Sequence, residues 1–343
     1  MPIFNEKQLT KLSITILKAA GVPEEEARLV TRYLVEANLV GFDSHGIMRI
    51  SGYIKEIKAG RLKPGAGIKV IRETPSSAVV NGNNGLGQFV ATKCMEMAIK
   101  KAEMYTIGCV VVHNLGHIGR LADYSSMAIE RGMIGVAMHG DLSKSVAPFG
   151  GIEAKIGTNP ISVAIPSGKE EPFVMDFATS VIAEGKIRDK LQRGSKVPEG
   201  WIIDKEGRPT TNPADLYAGG AILPFGGSQG YKASGLAIVA LLGGLLSGAT
   251  GTMMIGDLFA AVNVKDFILV DKFKKSVDKV LRRMKSSKPM PGLGRVMTPG
   301  EPEIEIKKIN LKKGIDVPDS VWKDIVKTAK ELKIDVDELI KQE

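Results

Sequence analysis

Ser77-Ala78-Val79-Val80-Asn81-Gly82-Asn83-Asn84-Gly85-Leu86-Gly87-Gln88 reads as a strand that breaks into a glycine-rich turn and then enters a helix. That is the layout of a dinucleotide fingerprint, in which glycines at fixed spacing bring the backbone against a pyrophosphate. Here the glycines stand at 82, 85 and 87, and the G-x-G-x-x-G spacing is absent. The stretch therefore predicts a strand feeding a helix without a Rossmann phosphate turn, and a plain loop is its simplest reading. A short strand rich in β-branched residues precedes it at 68–72. A helix carrying Ala91, Met95, Met97, Ala98 and Ala102 follows, then strands at 107–112 and 134–138 around a helix at 121–130. Further strands are expected at 161–165, 172–176 and 266–270. Strands alternating with helices predict an α/β, or mixed α+β, sheet unit.

The flanks read differently. Asn5 caps a helix whose Leu9, Leu12, Ile16 and Leu17 recur at helical spacing up to Gly21. Pro23 and Glu24-Glu25-Glu26 open a second helix, reaching Asn38. A third follows the turn Asp43-Ser44-His45-Gly46 and carries Ile47, Ile50, Tyr53 and Ile54 to Gly60. Near the other end, Asp319 or Ser320 caps a helix at 321–332, and Asp335 opens a last one.

The 343 residues predict two domains, and 43% hydrophobic with 25% charged residues is the balance of an ordinary soluble globular protein. No apolar run reaches the roughly 18 residues a membrane span needs. The longest, GLAIVALLGGLLSG at 235–248, reads as a buried helix. The stretch Met1-Pro2-Ile3-Phe4-Asn5-Glu6-Lys7 lacks the layout of a signal peptide. Cys94 and Cys109 read as core thiols of a reducing compartment, so a cytoplasmic location is expected. The formal charge of +9 is spread among acids and accompanied by only 5% aromatics, which argues against a nucleic-acid surface. Its densest clusters, at 272–275 and 282–285, fall on an expected amphipathic helix with a solvated basic face. A positive field also suits an anionic substrate or cofactor.

Four histidines serve the chain, one of them in Asp43-Ser44-His45-Gly46-Ile47-Met48-Arg49. If helical, this segment sets His45 and Arg49 on one face. An acid/base group beside a bidentate carboxylate clamp suits chemistry at the carbon next to a carboxylate. A capped helix start with a solvated Arg49 explains the same residues. His113 and His117 follow the valine-rich strand, at the strand end where α/β sheets gather ligands. Gly116 and the lack of a third ligand argue against a metal there, leaving a catalytic or a structural histidine. Gly157-Thr158-Asn159-Pro160 is a tight polar turn. Asp176-Phe177-Ala178-Thr179-Ser180 is expected to open a helix, as an anion or ribose site or as an ordinary cap. In the loop before the apolar helix, Lys232 either reaches a cofactor phosphate or is solvated. Ser44 beside His45 makes no serine hydrolase, because adjacent residues form no nucleophile–base pair and no G-x-S-x-G elbow is present.

Taken in order, SHGIMR (44–49), NGNNGLGQ (81–88), GHIG (116–119), APFGG (147–151), GTNP (157–160), DFATS (176–180), PEGW (198–201), GRPTTNP (207–213), ILPFGG (222–227) and PGE (299–301) resemble the malate/L-lactate dehydrogenase family that is distinct from the Rossmann enzymes of the same names. The resemblance is greatest to its archaeal malate and L-sulfolactate branch. It implies a homodimer with a non-Rossmann nicotinamide-binding sheet domain at 73–301 and a helical domain formed by 1–72 with 302–343. It implies hydride transfer between NAD or NADP and C2 of a small anionic 2-hydroxy or 2-oxo acid. Within the same family, a ketimine reductase or a cofactor-less binding paralogue is the alternative. Arg49 would hold the C1 carboxylate, His117 would carry the proton with His45 as its close partner, and Tyr53 would line the pocket. Asn159, Asp176, Phe177, Ala178, Thr179, Ser180, Gly300 and Glu301 would contact the cofactor, and no metal is implied. One stretch departs from the family: PFGGSQGYKASGLA replaces P-x-G-G-x-K-G-Y-G-L. Aligned from the right, Lys232 matches the family lysine; aligned from the left, Gln229 replaces it. The first alignment keeps the lysine's distance to Gly235.

Overall fold

The computed structural model describes residues 2–250 and 254–341. Residues 1 and 342–343 of the expected helical unit, and 251–253 of the short connection after Gly248, lie outside them.

Both ends of the chain build one helical layer. Asn5 caps α1 (Glu6–Ala19) by accepting from the Gln8 N–H at 2.8 Å, and the Gln8 side chain accepts from the Asn5 N–H at 3.0 Å. Three glutamates occupy the first turn of α2 (Glu24–Leu39), where the helix dipole favours them. With α3 (Ile50–Lys58) these helices bury Leu12, Ile16, Leu34 and Ile54 in one cluster that also contains Ile325 and Ala329. The strand Ile3–Phe4 pairs antiparallel with Ile315–Asp316, tying the ends together.

The sheet has seven strands: β1 (Lys69–Glu73), β2 (Ser77–Gly85), β3 (Ile107–Leu115), β4 (Met133–Gly140), β5 (Ile161–Ile165), β6 (Phe173–Phe177) and β7 (Gly256–Asn263). Their spatial order is β1-β2-β3-β7-β4-β5-β6. Only β2 and β3 are parallel. The helix α4 (Gly87–Tyr105) makes the crossover such a pair requires, burying Cys94, Met95 and Ala98 with Val110, Val112 and Phe259. This is the expected mixed α/β architecture, a large mixed sheet with helices from both chain ends. Besides a single turn at Ala214–Tyr217, the helices that follow are α5 (Ala122–Ser125), α6 (Glu184–Gln192), α7 (Tyr231–Ala240), α8 (Leu242–Ser247), α9 (Val270–Lys285), α10 (Glu301–Lys313), α11 (Asp319–Glu331) and α12 (Val336–Lys341). No helix among the described residues is long and apolar enough to cross a membrane.

Three expectations fail here. The strand expected at 266–270 is not formed; β7 lies earlier, and Phe267 and Leu269 are 68% and 67% exposed. The observed strand packs against α4 and α8, and glycines bring α8 onto its backbone. A Cβ on Gly256 would stand 2.5 Å from Gly244 Cα and one on Gly243 2.4 Å from the Asp257 carbonyl carbon, an approach that the glycine-free run 266–270 does not allow. The 235–248 stretch is not one buried helix but two, α7 and α8. Ala237, Ala240, Gly243 and Gly244 face inward, while Ile238, Leu245 and Leu246 stay more than half exposed. Finally, Asp176 to Ser180 opens no helix. Asp176 and Phe177 end β6 and α6 begins only at Glu184, because the Thr179 and Ser180 hydroxyls turn inward to the carbonyls of Thr158 and Ile182.

Candidate active site

The segment 43–49 is two 3-10 turns, Asp43–His45 and Ile47–Arg49, separated by an extended Gly46. Asn38 of α2 imposes the break. Its Oδ1 accepts from the Ile47 N–H at 2.8 Å and its Nδ2 donates to Asp43 at 2.7 Å. A Cβ on residue 46 would lie 2.1 Å from that amide. The shared helix face expected for His45 and Arg49 therefore does not exist. Hydrogen bonds link them instead: Ser44 Oγ stands 2.9 Å from His45 Nδ1, and Arg49 Nε donates to the Ser44 carbonyl at 2.6 Å.

His117 comes from the turn after β3. The glycine-rich stretch positions it: a Cβ on Gly87 would stand 2.1 Å from the Gly116 carbonyl oxygen and 2.4 Å from that of His117. The start of α4 thus rests directly on the backbone of the histidine. Tyr53 Oη lies 2.8 Å from His117 Nδ1 and accepts from Gln88 Nε2 at 2.7 Å. The His45 and His117 rings stack with centroids 5.5 Å apart. Burial, reinforced by Arg49 and His45, holds His117 well below the usual imidazole range. Burial and the cations Arg49, Arg120 and Lys186 bring His45 down to about 4. Both rings are neutral at pH 7, and burial pushes Tyr53 up to about 12, so it keeps its proton.

The other expected residues divide. Asp176 and Gly300 line one cavity of about 310 Å³ with Phe42 and Arg120, residues three positions from His45 and His117 respectively. Asp176 Oδ2 accepts from the Ala122 N–H at 2.8 Å, and burial raises its carboxyl to about 6. Arg120 pairs with Asp123 at 2.5 Å, yet its Nε is buried with no partner. Phe177 and Ala178 are half-buried beside this wall, with Phe177 edge-on to Phe225 at 5.6 Å. Asn159 is fully buried and committed inward, to the Asp141 N–H at 3.0 Å and the Ala237 carbonyl at 3.3 Å. Thr179 and Ser180 are likewise buried. Glu301 pairs with Lys285 at 2.8 Å and accepts from the Thr298 N–H at 2.9 Å. Lys232 is exposed on α7 beside the Tyr231 ring and does not line this cavity. Among the described residues no cluster of His, Cys, Asp and Glu is placed to hold a metal ion.

Sequence reading missed three things. Gln88 is visible only as the end of NGNNGLGQ, and Arg120 falls one residue beyond GHIG. His139 was overlooked because strand β4 was expected to stop at Met138. It bonds Asp257 through Nδ1 at 2.7 Å and Asp141 through Nε2 at 3.2 Å. Burial opposes its charge, but the two carboxylates outweigh burial and raise it to about 10. A histidine at a strand's C-terminal end, two residues before an aspartate, was the available signal.

The family model described as malate/L-lactate dehydrogenase matches residues 4–326. The L-sulfolactate dehydrogenase of Methanocaldococcus jannaschii is 40% identical, covering 98% of this chain and 98% of its own. The malate dehydrogenase of Pyrococcus horikoshii is 37% identical, covering 96% and 95%. Among solved structures, a sulfolactate dehydrogenase from Methanocaldococcus jannaschii superposes with a TM-score of 0.89 at 38% identity, covering 98% of this chain and 99% of its own.

Proposed function

The chain belongs to the malate/L-lactate dehydrogenase family, an oxidoreductase family of small acids, and from that premise we propose reversible hydride transfer between NAD or NADP and C2 of a short 2-hydroxy or 2-oxo acid of the malate or sulfolactate kind. The observation that carries this reading is the neutral, stacked pair His45 and His117 with Arg49 close enough to depress both.

Arg49 holds the C1 carboxylate, for which its planar fork is suited. Burial is the main cause that keeps the rings neutral and the Arg49 charge adds to it, so a carboxylate bound at Arg49 offsets that added repulsion and favours proton uptake as substrate arrives. His117 gives that proton to the ketone oxygen in reduction and removes it in oxidation, with His45 beside it. For Nε2 to exchange the proton with substrate, Nδ1 keeps its hydrogen in both states, and Tyr53 Oη accepts from that Nδ1–H throughout. A bound nicotinamide cofactor supplies and takes back the hydride. Its nucleotide end fits the cavity of Phe42, Arg120, Asp176 and Gly300, whose buried Arg120 Nε lacks a protein partner. Phe177 and Ala178 form the adjoining wall. Asn159, Thr179, Ser180 and Glu301 shape the turns around it, and Lys232, exposed on α7, lies outside that cavity. The exposed Ile238, Leu245 and Leu246 support a homodimer that covers them.

The test is NADH and NADPH oxidation against oxaloacetate, sulfopyruvate, pyruvate, 2-oxoglutarate and a cyclic imino acid. Turnover of one oxo acid is expected. Turnover of the imine alone would make the protein a ketimine reductase. No turnover, with melting unmoved by either cofactor, would leave a cofactor-less paralogue.

A further inference from the structure

A second cavity, of about 280 Å³, lies against Ser44 and Met48 of the His45 turn, and the proposed reaction leaves it unused. One wall is α6. Ile187 is buried with Val146, Val197 and Ile202, which fixes the rotation of that helix. Lys186 and Lys190, four residues apart, then share a side of α6, and Arg193 extends the same row three residues later. All three line the cavity, as does Arg188, which Glu184 engages at 2.9 Å. Among the described lining residues Asp43 is the one carboxylate, and it accepts from Asn38 Nδ2 at 2.7 Å. The apolar part of the lining is Trp201, which packs against the same cluster as Ile187, together with Ile47, Met48, Val317 and Val321. His45, Arg49 and His117 do not line it.

A lining that combines cations with hydrocarbon selects a ligand with both characters, and the volume admits a small molecule but no dinucleotide. We propose that this cavity is a second binding site, for a small amphiphilic anion. A ring or branched hydrocarbon body rests on Trp201 and Val321, and a phosphate or carboxylate head lies between Lys186 and Lys190. Ser44 joins this site to the acid/base pair, since the same residue lines the cavity and stands 2.9 Å from His45 Nδ1.

The chain has two tryptophans, and Trp322 packs on Phe4 at 4.5 Å, in the helical layer. A Trp322→Phe variant therefore leaves Trp201 as the reporter. Titration with phenyl phosphate at low salt should change its fluorescence saturably, with inorganic phosphate and benzyl alcohol each binding more weakly. Benzoate in a parallel titration ranks the two head groups. Lys186→Glu with Lys190→Glu should weaken phenyl phosphate about tenfold or more at unchanged melting temperature, as loss of charge-assisted contacts predicts. Saturating NAD or NADP in the oxidised form should not compete. No saturable change, indifference to the double charge reversal, inorganic phosphate binding as well as phenyl phosphate, or competition by the dinucleotide would each overturn the proposal. Binding is read without turnover, so its failure is distinct from failure of the hydride-transfer reading.

Discussion

Tyr53 is held between an amide and an imidazole in a buried setting, and its removal should separate packing from proton chemistry. Tyr53→Phe keeps the ring but strips a shared partner from Gln88 Nε2 and His117 Nδ1. Leaving such buried groups unpaired costs about 1–3 kcal/mol, so denaturant melts should show that loss. The catalytic rate should fall about tenfold, with the acid limb of the rate profile displaced, because the histidine loses the group that steadies it in both protonation states. An unmoved profile would reduce Tyr53 to packing. Arg49→Lys tests the clamp. One ammonium cannot reproduce two parallel N–H donors, and kcat/KM for the oxo acid should drop roughly 100-fold. Unchanged kcat/KM would remove Arg49 from that role. At this scale the sequence was legible in residue type but not in placement. His45 and Arg49 were singled out for a helical face that Asn38, five residues before Asp43, abolishes by taking the Ile47 N–H for itself.

At the scale of elements, helix periodicity was readable because it is local, and α1 to α4 lie close to where their apolar spacing put them. Strand β7 was not, since its place between β3 and β4 is set by long-range packing rather than by the most hydrophobic nearby run. The glycines of 82–87 were recognised as no phosphate turn, yet their use depends on the end of β3, over 20 residues away, which no local pattern contains. Gly87→Ala should consequently displace the 116–117 backbone. A destabilisation of about 1–3 kcal/mol is expected from overpacking, together with lost turnover, read by melting and steady-state rates. The link between β4 and β7 carries its own pH signature. His139 titrates higher in the folded chain, at about 10, than the ~6.5 of an unfolded histidine. Its contribution to stability is then complete below pH 6.5 and disappears as pH rises through 10. His139→Gln should flatten that alkaline decline in the melting temperature; an unaltered decline would mean that the imidazole is uncharged.

For the molecule as a whole, the mixed sheet and the helices at both ends were anticipated, whereas the face left by α7 and α8 was not, because a run of leucines does not announce which side the sheet will cover. If a second copy covers it, light scattering should find twice the chain mass, and Leu245→Asp should shift the population toward monomer, since burying an unpaired carboxylate is costly. A mass of one chain for the unaltered protein would exclude the dimer. The pairing of Ile3–Phe4 with Ile315–Asp316 has a consequence for biosynthesis. Helices α1 to α3 leave the ribosome well before Ile325 and Ala329 of their own cluster are translated. The sheet can assemble while synthesis continues, whereas the turn bearing His45 and Arg49 waits for a wall that does not yet exist. Contacts so distant in sequence form slowly, so an emerging chain would keep this cluster open, with an apolar surface offered to chaperones, until α11 arrives.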